Sequence, residues 1–292
     1  MKRVDELTVL VTGSTDGIGK RTARDLAGMG SRVLVHGRSR ERGERTLREI
    51  REATGSGKLE YYNADLSSLA EVRRLAAEVS EDHPRLDVLI NNAGIGSGGS
   101  GRRRQVSADG HELRFAVNYL APFLLTHLLL PTLKRSAPSR IVNVSSLGQS
   151  PLDLDDLMLE HRYSGWEAYA RSKLAQVMFT FDLAEELRGE GVTVNALSPG
   201  SLLDTKMVRE AFGRARGDVQ EGADAVIYLA TSPEVEGVTG RFFDQERESR
   251  ANRQAYDREA RARLRRASRE LTGLEGGLPS PGDHRAQRVI SS

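Results

Sequence analysis

The sequence predicts an α/β protein of the Rossmann type: a doubly wound, seven-stranded, mostly parallel sheet with helices on both faces. Three observations carry this. Short β-branched runs alternate with amphipathic helical stretches over the first two hundred residues, and strict β-α alternation argues a parallel sheet covered on both sides. A glycine-spaced turn follows the first apolar run and opens the first helix. Polar residues stand where later apolar runs end, and ligands of such sheets lie outside the carboxyl ends of the strands.

The elements follow in order. Residues 7–11 form the first strand, ended by Thr12-Gly13. A helix over 17–29 shows helical spacing at Ile18, Thr22, Leu26 and Met29. Residues 32–36 are the second strand and 41–53 a charged helix. The third strand, 59–63, precedes a helix over 67–81 with Ser67 as its N-cap. Residues 86–91 make the fourth strand, 109–134 a long and mostly buried helix, and 140–145 the fifth strand. A helix over 166–188, a sixth strand at 192–197, a short helix over 222–230 and a seventh strand at 241–244 complete the alternation. Residues 1–245 read as a single domain. Residues 246–272 read as a charged, solvated C-terminal helix, and 273–292, rich in Gly, Pro and Ser, as a disordered tail.

Composition excludes several functions. The 292 residues include no cysteine, so there is no disulfide scaffold, thiolate zinc site or cysteine nucleophile, and no metal is expected. The 43 basic and 41 acidic residues nearly cancel, which gives no general electrostatic case for nucleic acid. The longest apolar run, around 120–133, is interrupted by Pro122, His127 and Pro131. It falls short of the roughly 18 residues of a membrane span, and the polar first residues do not form a signal peptide. The expectation is a soluble, cytoplasmic protein.

The turn Thr12-Gly13-Ser14-Thr15-Asp16-Gly17-Ile18-Gly19 has the spacing GxxxGxG. Gly13 permits a tight turn, Gly17 lets backbone approach a pyrophosphate, and Gly19 allows close helix–strand packing. The helix N-terminus offers N–H groups and a positive dipole to phosphate. Ser14, Thr15 and Ile18 complete the expected cradle. A P-loop is excluded, because its first glycine would fall at Ser14 and Arg21 replaces the magnesium-binding Ser/Thr. After the second strand, Gly37 stands where an NAD-selective site places a carboxylate, and Arg38 follows. A missing acid beside a guanidinium suits a 2′-phosphate, so NADP is expected ahead of NAD. The alternative is a surface arginine in a chain with 37 of them.

Tyr169 and Lys173 lie four apart on the predicted helix 166–188 and share a face. An ammonium beside a phenol favours phenolate, and a tyrosine so tuned can protonate a nascent alkoxide or deprotonate an alcohol. Ser145-Ser146 ends the fifth strand, where a hydroxyl could bond a substrate carbonyl oxygen. Asn91-Asn92-Ala93-Gly94 ends the fourth strand. Asn118 sits in mid-helix, where a buried side chain needs partners.

Taken in order, these motifs resemble the short-chain dehydrogenase/reductase family. TGSTDGIG at 12–19, Asp65-Leu66 after the third strand, NNAG at 91–94, Asn118, the serine pair, YxxxK at 169–173 and Pro199-Gly200 all match, over residues 7 to about 245. The resemblance implies Tyr169 as general acid/base, Lys173 as its pKa modifier and ribose ligand, and Ser146 as the carbonyl-orienting hydroxyl. It implies that Asn118 holds a water in a proton relay toward Lys173. It places Asp65 at the adenine, Leu66, Asn91, Asn92, Ala93 and Gly94 along the cofactor, and Pro199, Gly200 and Thr205 near the nicotinamide. Within the family the chain is most similar to the retinol-dehydrogenase-type branch and related actinobacterial oxidoreductases. The segment from Val117 to Thr126 and the long gap of 23 residues from Ser146 to Tyr169 carry that likeness.

The implied function is hydride transfer between NADP and an alcohol, ketone or aldehyde. The alternative is a silent NADP-binding regulator or scaffold, and the intact Asn118, Ser146, Tyr169 and Lys173 weigh against it. The insert 151–164, with Asp153, Asp155, Asp156 and Glu160, reads as a surface flap or a substrate-access wall. The five glycines at 94–101 with Arg102, Arg103 and Arg104 read as a surface loop or a contact for an acidic group. The segment 201–221 is largely charged, although Leu202, Leu203, Met207, Val208 and Phe212 could line one face. Many relatives pair the helices matching 109–134 and 166–188 between subunits. Leu124, Leu125, Leu128 and Leu129 could therefore serve a homodimer, a homotetramer or the core.

Overall fold

The computed structural model describes residues 2–98, 103–215 and 217–274, without the side chains of 211 and 212. Expectations for Gly99, Gly101, Arg102, Arg216, the side chain of Phe212 and the tail from 275 onward lie outside the described residues.

The apolar runs form β1 (Thr8–Val11), β2 (Arg32–Gly37), β3 (Leu59–Asn63), β4 (Val88–Asn91), β5 (Ser139–Val144), β6 (Val192–Ser198) and β7 (Phe242–Asp244). They pair in parallel in the order β3-β2-β1-β4-β5-β6-β7. The order reverses between β1 and β4, which opens the crevice where ligands of such sheets bind. The sheet has eight strands rather than seven. Gln245 takes a left-handed φ of 53°, and the chain turns back into β8 (Arg247–Ser249), antiparallel to β7.

The described residues hold nine α-helices, besides short 3-10 turns and a π-helical segment: α1 (Gly17–Gly28), α2 (Arg40–Thr54), α3 (Leu69–Asp82), α4 (Leu113–Phe115), α5 (Ala121–Arg135), α6 (Gly165–Glu186), α7 (Lys206–Phe212), α8 (Val219–Thr231) and α9 (Arg258–Thr272). Both faces of the sheet are apolar, as a sheet covered on both sides requires. Val9, Val11, Val33 and Val35 pack with α1, α2 and α8. Leu10 and Leu34 pack with α3, α5, α6 and α9.

Several element boundaries differ from expectation. Ser68, not Ser67, caps α3, accepting from Glu71 N–H. Ser67 instead donates its own N–H to the Asp65 carboxylate in the preceding turn. The long helix begins at Leu113, because Val106 bridges Glu112 and the intervening residues form a tight turn. It runs from α4 through a π-helical segment, Ala116–Leu120, into α5. The whole of Leu113–Arg135 has a mean hydropathy of 1.4 over its most apolar window, enough by length and composition to span a membrane. By length the helix exceeds the interrupted run read from the sequence. In this fold 78% of the window is buried inside the protein. The short helix before β7 starts at Val219, where Asp218 caps it.

The C-terminal helix is neither solvated nor as long as expected. Residues 247–249 are strand, and α9 starts only at Arg258, capped by Asp257. Leu264 is 1% exposed, and burying one leucine contributes about 1.5–3 kcal/mol. Arg261 and Arg265 pair with Glu185 and Asp182 of α6 at 2.8 and 2.7 Å. Ser268 bonds the Tyr119 hydroxyl at 2.7 Å. Leu124, Leu125 and Leu129 are each 0% exposed and belong to the core.

Candidate active site

The glycines act through missing Cβ atoms. Gly13 has φ +65°, and a Cβ there would stand 2.8 Å from the Ala93 backbone. Gly17 has φ +51° and faces Thr205. A Cβ on Gly19 would collide with the Asn92 side chain. The Asn92 amide donates to Thr12 O at 2.8 Å and Gly13 O at 3.2 Å, latching the loop after β4 to the turn. Ile18 packs against Gly222 of α8. Ser14 departs from its expected role as a ligand. Its buried hydroxyl donates to Val11 O at 2.7 Å and accepts from His36 N–H at 2.9 Å, so it faces inward. His36 was not foreseen. Its Nδ1 accepts from Gly13 N–H at 3.1 Å, and its Nε2 reaches Ala64 O at 3.2 Å.

At the end of β2, Arg38 is exposed. A Cβ on Gly37 would stand 2.7 Å from Thr15, so the missing side chain there also makes room for the turn. Arg42 reaches the Asp16 carboxylate, whose other oxygen caps Gly17 N–H. Asp65 is exposed beyond β3, while Leu66 is 7% exposed and points into the core. Asn91 does not lie along the crevice. It is 1% exposed and donates to Asn143 and Thr126 inside the molecule.

Tyr169 and Lys173 stand on α6, whose N-terminus Ser164 caps. The Ser146 side chain stands on the Tyr169 hydroxyl side and favours its ionised form. Ser146 Oγ also accepts from Gly148 N–H at 3.0 Å, while Ser145 is buried and bonds Lys173 O, fixing α6 to β5. The second serine is therefore the one at the site. Lys173 Nζ donates to Val144 O at 2.8 Å and Gln176 Oε1 at 3.3 Å. An ammonium has three donors. A Cβ on Gly94 would lie 3.6 Å from Nζ.

The expected lowering of the tyrosine does not hold in this geometry. Burial pushes the Tyr169 phenol above its usual value, and the nearby Ser146 side chain offsets only part of that. Burial also pulls Lys173 down to about 8.

Asn118 lies in the π-helical segment, a distortion frequent at functional sites. Its amide donates to Ile95 O at 3.1 Å and Ser172 Oγ at 2.9 Å, and its oxygen accepts from Ile95 N–H at 2.8 Å. The side chain thus ties the loop after β4 to α6. Arg114, missed among many arginines, is 3% exposed. It donates to Gly96 O and Ser97 O at 2.9 Å each and to the Tyr163 hydroxyl at 2.7 Å, clasping the glycine loop to the insert 151–164.

Pro199 and Gly200 follow β6, Gly200 with φ +125°. Thr205 caps α7 through Val208 N–H. Leu203 is 3% exposed against Gly217 and Gly222, so it does not line the crevice. Met207 instead covers Gly96. Leu147 and Trp166 are 47% and 48% exposed beside Ser146 and Tyr169. The Trp166 and Tyr169 ring centres are 5.8 Å apart.

These features fit a dinucleotide. A Cβ would fill the cradle at Gly13 and Gly19, the first N–H groups of α1 lack intrahelical partners, and Lys173 keeps a donor beyond its two protein acceptors. Among the described residues no group of three His, Asp or Glu side chains could hold a metal ion.

Residues 7–215 match the family model for short chain dehydrogenase. Human retinol dehydrogenase 14 is 40% identical over 297 residues, covering 91% of this chain and 86% of its own. A crystal structure of an uncharacterised protein from Mycobacterium paratuberculosis superposes with a TM-score of 0.76 at 32% identity, covering 94% and 96% of the two chains. The Pseudomonas aeruginosa RhlG/NADP active-site complex gives 0.67 at 31% identity, covering 84% and 97%.

Proposed function

Because the chain belongs to the short-chain dehydrogenase/reductase family and is an oxidoreductase of CH–OH groups, we propose that it uses NADP(H) to interconvert an alcohol and a carbonyl on a small, largely apolar substrate. The observation that carries this is the grouping of Ser146, Tyr169 and Lys173, with Lys173 one turn beyond Tyr169 on α6 and its Nζ 3.6 Å from where a Cβ on Gly94 would stand. Bound NADP(H) would supply or accept the hydride.

The chain's own residues do the rest. Ser146 and Tyr169 hold the reacting oxygen from two sides, and Tyr169 passes the proton. Lys173 holds the ribose and keeps a positive charge near the phenol. Asp65 takes the adenine end, and Gly17, Ile18 and Gly19 take the phosphates. Arg38 favours the 2′-phosphate, and the RhlG/NADP complex supports a phosphate-bearing cofactor by analogy. Leu147 and Trp166 at the rim favour a substrate with a bulky apolar group, in keeping with a relative named for retinol. We place the enzyme in the cytoplasm, with its most apolar helix packed inside the fold.

The test is a nicotinamide absorbance assay with all-trans-retinal, aromatic aldehydes and aliphatic ketones, beside a cofactor-binding titration. Wild-type turnover is expected with NADPH. Tyr169→Phe should keep cofactor affinity and lose about 10²- to 10⁴-fold in turnover. In the alcohol-oxidising direction the wild-type rate should rise with pH as the phenol ionises. Cofactor binding without turnover on the whole panel would favour the silent-regulator reading, and near-native turnover by Tyr169→Phe would overturn the mechanism.

A further inference from the structure

The segment after β7 lies outside the family match, which ends at residue 215, yet it touches every element that carries a catalytic residue. Two glutamines join it to the loop after β5. Gln149 Nε2 donates to Ser146 O at 2.7 Å, and its Oε1 accepts from Asn252 N–H at 2.8 Å. In the reverse sense, Gln254 reaches from the C-terminal segment to Leu152, accepting its N–H at 2.6 Å and donating to its carbonyl at 2.9 Å. Each side-chain amide satisfies two groups, so the loop carrying Ser146 is held at two points.

The same segment grips the other catalytic elements. Ser268 bonds Tyr119, the neighbour of Asn118 in the π-helical segment. Arg261 and Arg265 pair with α6, the helix of Tyr169 and Lys173. Arg261 is 5% exposed and spends a second donor on Ala255 O, closing the segment on itself. A loop end such as Leu147, 47% exposed, gets little position from packing. Hydrogen bonds must supply it.

We propose that residues 246–274 are a built-in brace for the catalytic site, and that Gln149 is the positioning residue through which the brace sets Ser146. The proposal rests on the reading of Ser146 as the group that orients the reacting oxygen. Displacing a reacting group by about 1 Å can reduce a rate 10²-fold, so the brace should act on turnover rather than on cofactor affinity.

The discriminating variant is Gln149→Glu. It keeps the acceptor for Asn252 N–H and loses only the donor to Ser146 O, where a carboxylate meets a carbonyl. Turnover on the best wild-type carbonyl should fall about 10- to 100-fold, with the NADPH dissociation constant unchanged within twofold. Lowering the pH should restore part of that loss in the variant but not in wild type, because the protonated acid donates again. Amide hydrogen exchange over residues 146–152 should accelerate at least tenfold in Gln149→Glu and in Gln254→Ala, with exchange over β1 and β4 unchanged. Unchanged exchange in both variants overturns the brace, whether or not a substrate is in hand. Faster exchange with wild-type turnover overturns the positioning role. Absence of wild-type turnover would instead count against the assignment of function and leave the exchange result to decide the brace.

Discussion

Lys173 Nζ lies 5.9 Å from the ring centre of Tyr169, with two of its donors directed to Val144 O and Gln176 Oε1. The pair shares a helix face, yet the ammonium is anchored in the protein rather than against the phenol. Gln176 is 0% exposed, and its Nε2 has no partner in the protein. Lys173 is thereby held ready and charged in a place that disfavours charge.

That has a cost to the fold. Burial lowers Lys173 from 10.5 to about 8, so between those values the unfolded chain binds the proton more tightly. Stability should rise with pH across this window, and at neutral pH the buried ammonium is a net penalty. At about 1.4 kcal/mol per pKa unit the penalty is of order 3 kcal/mol, less whatever Gln176 and Val144 lose as acceptors. Lys173→Met should therefore raise the melting temperature by a few degrees while abolishing turnover. A lower melting temperature would show that the two hydrogen bonds outweigh the desolvation.

Cofactor choice should follow Arg38. Arg38→Ala is expected to weaken NADPH binding at least tenfold and to leave NADH binding within twofold, since only the 2′-phosphate needs the guanidinium. Equal losses for the two cofactors would reassign Arg38 to the surface. Converting Gly37 to an acid is a poorer test, because its Cβ would press on Thr15.

Much of this site was legible in the sequence because its chemistry is local. Tyr169 and Lys173 meet by helical spacing alone, and Gly13 and Gly17 answer to left-handed backbone within one turn. What could not be read are contacts between residues far apart in the chain. Gln149 and Asn252 are separated by 103 positions, and Tyr119 and Ser268 by 149. Arg114 and Arg261 look like any of 37 arginines until burial singles them out. Ser14 sits in the motif, yet its hydroxyl direction depends on His36 in the next strand. The solvated-helix reading of the tail failed for a related reason. Its apolar stripe is thin, and Leu264 is buried only because α9 docks on α6 and the π-helical segment.

That docking bears on assembly. Three of the four leucines expected at a subunit contact are inside the core, and α9 covers part of α6. The full chain should therefore run as a monomer of 32.1 kDa by light scattering at micromolar concentration. A stable dimer mass would show that α5 and α6 keep enough open surface to pair, as the homodimer and homotetramer expectations hold.

His36 sets the acid limit of the cofactor turn. Burial holds its imidazole at about 4 against an ordinary 6.5. Gly13 N–H can only donate, so Nδ1 must be the acceptor and Nε2 must carry the proton toward Ala64 O. Protonating Nδ1 would set two hydrogens face to face beneath the phosphate turn. The unfolded chain gains its proton near 6.5, so this contribution to stability is complete above that value and is lost as pH falls toward 4. Its size is of order 3 kcal/mol. His127, also held at about 4 by burial, adds a second loss over the same window. Urea unfolding between pH 7 and 4.5 should show a steep fall in stability for wild type. His36→Phe should show about half that slope, with weaker NADPH binding already at pH 7 because Gly13 loses its acceptor. Equal slopes for the two proteins would mean that His36 is charged, or reached by water, in the folded state.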